Sequence, residues 1–357
     1  MPTAEIILAV PTLLLVLVTL APLSSSKQWW IRGCEFPRLQ FAALALFLAV
    51  ASTTTIGIDG RFAQGLAAVA LACLAWQASW IVPYTRLWPT EVPAVRGGTD
   101  GGGDGGTDGG RLRLLVSNVL MDNRRADLLR ALVAEHRPDI LLTLESNHWW
   151  EAQMAPVEEE MPHCVKHALD NTYGMHLYSR LPLEDCEVRY LVNREVPSIR
   201  ATAVLPSGIR VQFHCLHPEP PAPQENTESA DRDRELLITA RAVKECGEPV
   251  VVIGDLNDVA WSWTTRRFRK VSGLRDPRRG RGMFNSFHAR YPFLRWPLDH
   301  VFHSSHFALV RMLRLPSIGS DHFPILAELA LGGDRPGSAA RRGGAPARSD
   351  DRGPGTR

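Results

Sequence analysis

Asp255 and Asn257 follow directly on the apolar run Val250, Val251, Val252 and Ile253. Two residues apart in extended chain, their side chains point the same way. A carboxylate there can bind a cation or take a proton, and the amide beside it can hydrogen-bond a phosphoryl oxygen. Turn-forming Asp and Asn at a strand end would look the same in isolation. The pattern recurs, however. Asn118 ends LLVSN, Glu145 ends ILLTLE, and His217 follows IRVQFHCL. Asp299 and His300 stand in PLDHVF, and Asp321 and His322 in IGSDHFPIL. Active sites of α/β sheets gather where strands end. Oxygen ligands without a Cys/His cluster suit a hard divalent cation, Mg²⁺ or Mn²⁺, rather than zinc.

The elements that must position these residues are legible in outline. Residues 111–118 form an extended run, and Asn123 can cap a helix over 124–136, where Leu128, Leu129, Leu132 and Val133 keep helical spacing. Pro138 stops it, and 140–144 is the next strand. The segments 199–205 and 209–216, joined through Ser207-Gly208, suggest an antiparallel hairpin. A helix over about 230–245 leads into the strand at 250, and 299–302 and 325–329 are the last strands. Hairpins together with crossovers favour an α/β protein with mixed sheets.

Ahead of this lies a different composition. Residues 6–23, 39–58 and 62–83 are uncharged and largely apolar, each long enough for a bilayer core of ~30 Å. They predict three transmembrane helices; the first lacks the cationic start of a cleaved signal peptide. Trp29, Trp30, Trp76, Trp80 and Trp88 lie within or near the ends of these runs, as interfacial anchors do. Lys27, Arg32 and Arg38 in the first loop, with Arg86 and Arg96 after the third run, place the rest of the chain in the cytoplasm, on the inner membrane. The expected organisation is therefore a membrane domain over 1–96, a flexible Gly/Asp-rich linker over 97–110, a catalytic domain over 111–331 and a disordered Gly/Pro/Arg-rich tail over 332–357. A net charge of +2 makes no case for any partner, and the six scattered cysteines form neither a zinc pattern nor a disulfide framework.

From 111 to 331 the chain resembles the endonuclease/exonuclease/phosphatase superfamily, most sharply in GDLN at 254–257 and SDHFP at 320–324. The resemblance implies a four-layer sandwich of two mixed β-sheets flanked by helices, and hydrolysis of a phosphoester with Mg²⁺ or Mn²⁺. It implies Glu145 as principal metal ligand with Asn118 and Asp321 beside it. Asp255 would orient or deprotonate the attacking water, and Asn257 would hold a phosphoryl oxygen. His322 would contact the phosphate with its tautomer fixed by Asp299. His217 matches a second histidine used as acid toward the leaving oxygen, with His214 as a rival. Ser179-Arg180 matches a strand-terminal pair, its arginine structural.

The substrate is the harder question. Residues 261–297 carry ten Arg/Lys and one acid, Asp276. Arg266, Arg267, Arg269 and Lys270 lie there among Trp261, Trp263 and Phe268, and suit a nucleic-acid backbone. Near a bilayer the same stretch suits anionic lipid headgroups. The leading expectation is a membrane-anchored phosphodiesterase acting on nucleic acid, the alternative a phospholipid or phosphoinositide phosphodiesterase or phosphatase. A non-catalytic, membrane-anchored scaffold is the reading from another class.

Overall fold

The computed structural model describes residues 3–95 and 110–332. The chain begins with α1 (Thr3–Leu20), α2 (Trp29–Gly33), α3 (Arg38–Ile56) and α4 (Arg61–Ile81). Three stretches, Thr3–Leu23, Arg38–Ile56 and Arg61–Tyr84, are long and apolar enough to cross a membrane. Ile7, Leu13, Phe47 and Leu71 point outward from this bundle, whereas Ala45, Ala49, Ala63 and Ala70 are buried between the helices. Small side chains at the contacts let the backbones approach closely, a feature enriched where apolar helices pack in lipid.

The remainder is built from β1 (Arg111–Asn118), α5 (Ala126–His136), β2 (Ile140–Leu144), α6 (His148–Glu158), β3 (His163–His167), β4 (Met175–Ser179), β5 (Leu183–Arg189), β6 (Ser198–Val204), β7 (Arg210–Leu216), α7 (Ala230–Lys244), β8 (Val250–Asp255), α8 (Trp263–Ser272), β9 (Asp299–His303), β10 (Phe307–Arg314) and β11 (Ile325–Leu331). One sheet has the order β10-β11-β1-β2-β4-β3, the other β5-β6-β7-β8-β9. The β1–β2 and β7–β8 pairs are parallel and the others antiparallel. The sheets share a core to which Val116 and Leu142 contribute from one side and Phe213, Val251 and Ile253 from the other. Leu129, Trp150 and Met154 of α5 and α6 cover the outer face of the first sheet. Leu236 and Phe268 of α7 and α8 cover that of the second, against Val250 and Val252. Strand β8 is thus buried on both faces, which is why its sequence is continuously apolar. These are the four layers that the resemblance implies.

Two expectations need correction. Asn123 does not cap a helix: α5 starts at Ala126 with Arg125 at the cap position. The Asn123 amide instead donates to Val119 O and Ile318 O, both at 3.1 Å, and so ties together two loops. Second, the division at residue 96 falls too late. Val92 is buried in the core between the sheets, and Val95 N donates to Leu309 O of β10 at 3.1 Å. At the far end of the Gly/Asp-rich stretch, Leu331 N donates to Gly110 O at 2.7 Å. Val95 and Gly110 are therefore both held on the β10-β11-β1 side of one sheet. Apart from Gly110 and Gly332, the expected linker and tail lie outside the described residues.

The two parts of the chain are docked. Tyr84 donates its hydroxyl to Ala260 O, Trp261 its indole N–H to Glu35 O, and Glu91 pairs with Arg269 and Arg279.

Candidate active site

The sheets meet at one end, and each delivers one half of a polar cluster. Parallel pairing of β1 with β2 sets Asn118 opposite Leu144, so Glu145 emerges beside it. Glu145 adopts a left-handed backbone, φ 57°, which turns the chain out of the strand. From the second sheet, antiparallel pairing sets Asp255 directly opposite Asp299. Gly254 is required here: its φ is +142°, and a Cβ would collide with the Leu216 carbonyl of β7.

Asn118 joins the halves. Its amide donates to Glu145 Oε1 at 2.8 Å and to Asp255 Oδ2 at 3.2 Å. His322 lies between two acids, with Nδ1 2.7 Å from Asp299 Oδ2 and Nε2 3.4 Å from Asp255 Oδ2. Its loop is held by Ser320, whose hydroxyl donates to Asn118 O and accepts from His322 N. Asn257, at φ 48°, donates its backbone N–H to Asp255 Oδ1 and its amide to Pro218 O, both at 2.9 Å. Behind it, buried Arg232 donates to Asn257 O at 2.9 Å and pairs with Asp258.

Of the two rival histidines, His217 is the one in the cluster, its Nε2 4.0 Å from Asp255 Oδ2. His214 points elsewhere on β7 and contacts the Gln212 side chain at 3.0 Å. Ser179 and Arg180 brace loops: the hydroxyl donates to Leu181 O, and the guanidinium donates to Pro138 O and pairs with Glu160.

Electrostatics separates the roles. Burial by itself would lower His322, but Asp299 and Asp255 overcome it and push the imidazole up to about 10, so it is a cation at neutral pH. Burial would raise Asp255, yet His322, His217 and the hydrogen bonds from Asn257 and Asn118 leave it below its ordinary value. Burial lowers His217, which is therefore neutral at pH 7. Glu145 is pushed up to about 7, first by burial and further by Asp321 and Asp255. Carboxylates crowded into a partly buried site with an amide oxygen nearby are a donor set that fits a hard divalent cation. Asp255, Asp299 and His322 also bring ligand-type atoms within 4.8 Å of one another. In that trio both ring nitrogens of a charged imidazole already face carboxylates, so Glu145, Asn118 and Asp321 are the better fit.

Several contributors carried no signal of their own in the sequence. The Tyr173 ring lies 5.5 Å from His217, and its hydroxyl donates to Glu225. The Phe287 ring lies 4.9 Å from His322, and Ser286 Oγ accepts from Asp299 N. Conversely, the expected substrate-binding arginines are not gathered at the cluster. Arg266 stacks on Trp80 of α4 at 3.8 Å and donates to Ser79 O, and Arg269 is bound by Glu91. Arg267 rests over Trp263 and, like Lys270, is exposed on α8. Helical periodicity turned half of the basic run inward, onto the segment that carries the apolar helices.

Solved structures that share this fold include the following three. An endonuclease/exonuclease/phosphatase from Beutenbergia cavernae is 16% identical, with a TM-score of 0.50 over 63% of this chain and 72% of that one. One from Bacteroides vulgatus is 19% identical, with a TM-score of 0.50 over 62% and 99%. D. rerio TDP2, complexed with a single strand DNA product, is 16% identical, with a TM-score of 0.51 over 61% and 98%. No curated protein matches the chain by sequence. The model of the Endonuclease/Exonuclease/phosphatase family matches residues 115–322, more than half of the chain and all of the cluster described above. This chain belongs to that family.

Proposed function

We propose that the protein is a membrane-anchored, divalent-metal-dependent phosphoester hydrolase whose substrate is a phosphoester carried by a membrane lipid. The observation that carries the lipid assignment is a line of aromatic rings from the cluster to the apolar helices. Phe287 touches His322, Trp296 stacks on Phe287, and Phe36, just before α3, packs edge-on against Trp296 at 5.8 Å. The loop between them projects Tyr291, Phe293 and Leu294 into the surroundings, Phe293 being 87% exposed. Gln40 of α3 donates to Phe293 O at 2.6 Å, which holds this tip beside the start of an apolar helix. Exposed aromatic and aliphatic side chains at that level suit the headgroup boundary of a bilayer.

The residues then divide the work. Asp255, ionised, orients the attacking water and accepts its proton. The His322 cation, positioned by Asp299, stabilises charge on a phosphoryl oxygen, and Asn257 holds that group in place while the ester P–O bond breaks and the departing alkoxide takes a proton from water. His217, neutral, offers an N–H to the phosphoryl oxygens, a different part from the acid expected of it. Asn118, Glu145 and Asp321 would hold Mg²⁺ or Mn²⁺, which when bound withdraws charge from the phosphoryl group.

Nucleic acid is the second reading, favoured by exposed Arg267, Lys270 and Arg290. The test uses the full chain in vesicles with Mg²⁺ or Mn²⁺, offered lipid phosphoesters, DNA and RNA, with Glu145→Ala as control. Metal-dependent turnover of lipid, lost in the variant, is expected. Turnover of nucleic acid alone overturns the lipid assignment, and binding without turnover on every substrate points to the scaffold.

A further inference from the structure

Away from the cluster, a cavity of about 890 Å³ opens between the ends of the apolar helices and the outer helices of the second sheet. That size suits a bound small molecule. Leu23, Trp76 and Trp80 line the side that belongs to the apolar helices. On the other side α7 presents Arg234, Leu237, Ile238 and Arg241, spaced i, i+3, i+4, i+7 and so on one face. Leu237 and Ile238 are only partly buried, and both arginines are exposed. Lys27, from the loop after α1, adds a third cation to the lining.

Most other charges in the lining are already matched. Arg32 donates to Pro22 O, Ser24 O and Ser26 O. Glu35 accepts from Trp263 N and pairs with Arg38. Asp233 is bound by Arg232, Ser229 and Thr264, Asp231 accepts from Asn226, and Arg267 rests on Trp263. Among the described residues, the side chains of Lys27, Arg234 and Arg241 have no ion pair or hydrogen bond. The cavity therefore combines an apolar wall, continuous with helices long enough to cross a membrane, and cations without a counter-charge.

We infer that this cavity binds one anionic glycerophospholipid. Its phosphate lies among Lys27, Arg234 and Arg241, and its acyl chains lie along Leu23, Trp76, Leu237 and Ile238. The inference rests on the membrane anchoring proposed above and is independent of the catalytic reading, since no residue of the polar cluster lines the cavity.

The test is native mass spectrometry of the full chain in detergent with divalent metal chelated, so that turnover plays no part. Phosphatidylglycerol, phosphatidylcholine and inorganic phosphate are the probes. The wild-type chain is expected to retain phosphatidylglycerol at least about tenfold more tightly than phosphatidylcholine. The double variant Arg234→Gln/Arg241→Gln is expected to lose that preference, by roughly 10- to 30-fold, the worth of two basic side chains toward a headgroup of net negative charge over a zwitterionic one. Arg194→Gln, an exposed arginine elsewhere, is expected to keep it. Equal retention of both lipids, an unchanged preference in the double variant, or displacement of the lipid by millimolar phosphate would each overturn the inference. None of these outcomes bears on catalysis, which is read separately through Glu145→Ala.

Discussion

Asp299 touches no part of a bound phosphoester in the proposed mechanism, yet it decides what His322 can do. Its carboxylate fixes the ring through Nδ1 and, with Asp255, keeps the imidazole charged. Asp299→Asn preserves the shape but removes the charge. It is expected to lower kcat by about 10²–10³-fold, the usual worth of one positioned electrostatic stabiliser, with KM nearly unchanged. Steady-state kinetics separates this from a folding defect, which would lower the active fraction without making the rate per active site pH-dependent in a new way. Glu145→Gln tests a different function. It leaves the bond from Asn118 possible but removes a charge, so the metal concentration for half-maximal rate is expected to rise by tenfold or more. A metal titration that superimposes on the wild type would remove Glu145 from the ligand set.

The elements hold these residues through a few backbone and buried-charge devices. Gly254 lets β8 pass close under the Leu216 carbonyl. Gly254→Ala is expected to cost on the order of 3 kcal/mol, from overpacking together with an unfavourable φ; chemical denaturation checks it. Under the same strand end lies a buried Asp276–Arg278 pair, with Nη2 to Oδ2 at 2.9 Å, and Arg278 also reaches the His300 ring. Burial would raise Asp276, but Arg278 outweighs it and takes the carboxyl down to about 2. A folded pKa below the unfolded one contributes stability at all pH values above about 4 and loses it as pH falls toward about 2. The expected loss from this group is about 2 kcal/mol across that window. Arg278→Met leaves the carboxylate buried without its partner and is expected to cost about 3–5 kcal/mol at neutral pH. A melting temperature unchanged from the wild type would show that Asp276 finds another partner.

For the whole molecule, the decisive feature is the strap from Tyr84 to Val95. It carries Val92 into the core between the sheets and adds a backbone bond to β10. A fragment beginning at residue 111 loses that side chain, worth about 1.5–3 kcal/mol, and uncovers Trp261. It is expected to melt lower and aggregate more readily than a fragment beginning at residue 82. Equal melting points would mean that the strap is dispensable. The charge argument for orientation also narrows, because Arg32 and Arg38 are buried and lie near Glu35, leaving Lys27, Arg86 and Arg96. Those three predict that exposed Cys186 is protected from a membrane-impermeant maleimide applied to intact cells, and labelling there would reverse the orientation.

Of the strands inside the sheets, β1, β2, β6, β7, β8 and β11 were readable because their buried positions carry mostly apolar side chains, whereas β4, MHLYS, with His176 and Ser179 buried, was not. The polar residues at their ends stood out against those runs, and GDLN and SDHFP named the family for the same reason. The edge strand β5, LEDCEVR, was not readable, since one free edge and an exposed face admit charged residues that look like loop. The choice between His214 and His217 depended on which face of β7 each side chain leaves, and His217 lies just past the strand, beyond the reach of its alternation. The basic run at 266–270 misled in the opposite direction. Composition counts charges but not the direction they point, and a helix sends neighbouring arginines to opposite sides. Sequence alone determined the apolar helices, the sandwich core and the polar residues that the strand ends bring together. Only the tertiary structure decided which charges remained free, where the chain first joins the sheets and that the rim of the polar cluster lies beside the apolar helices, because each depends on contacts between segments far apart in the chain.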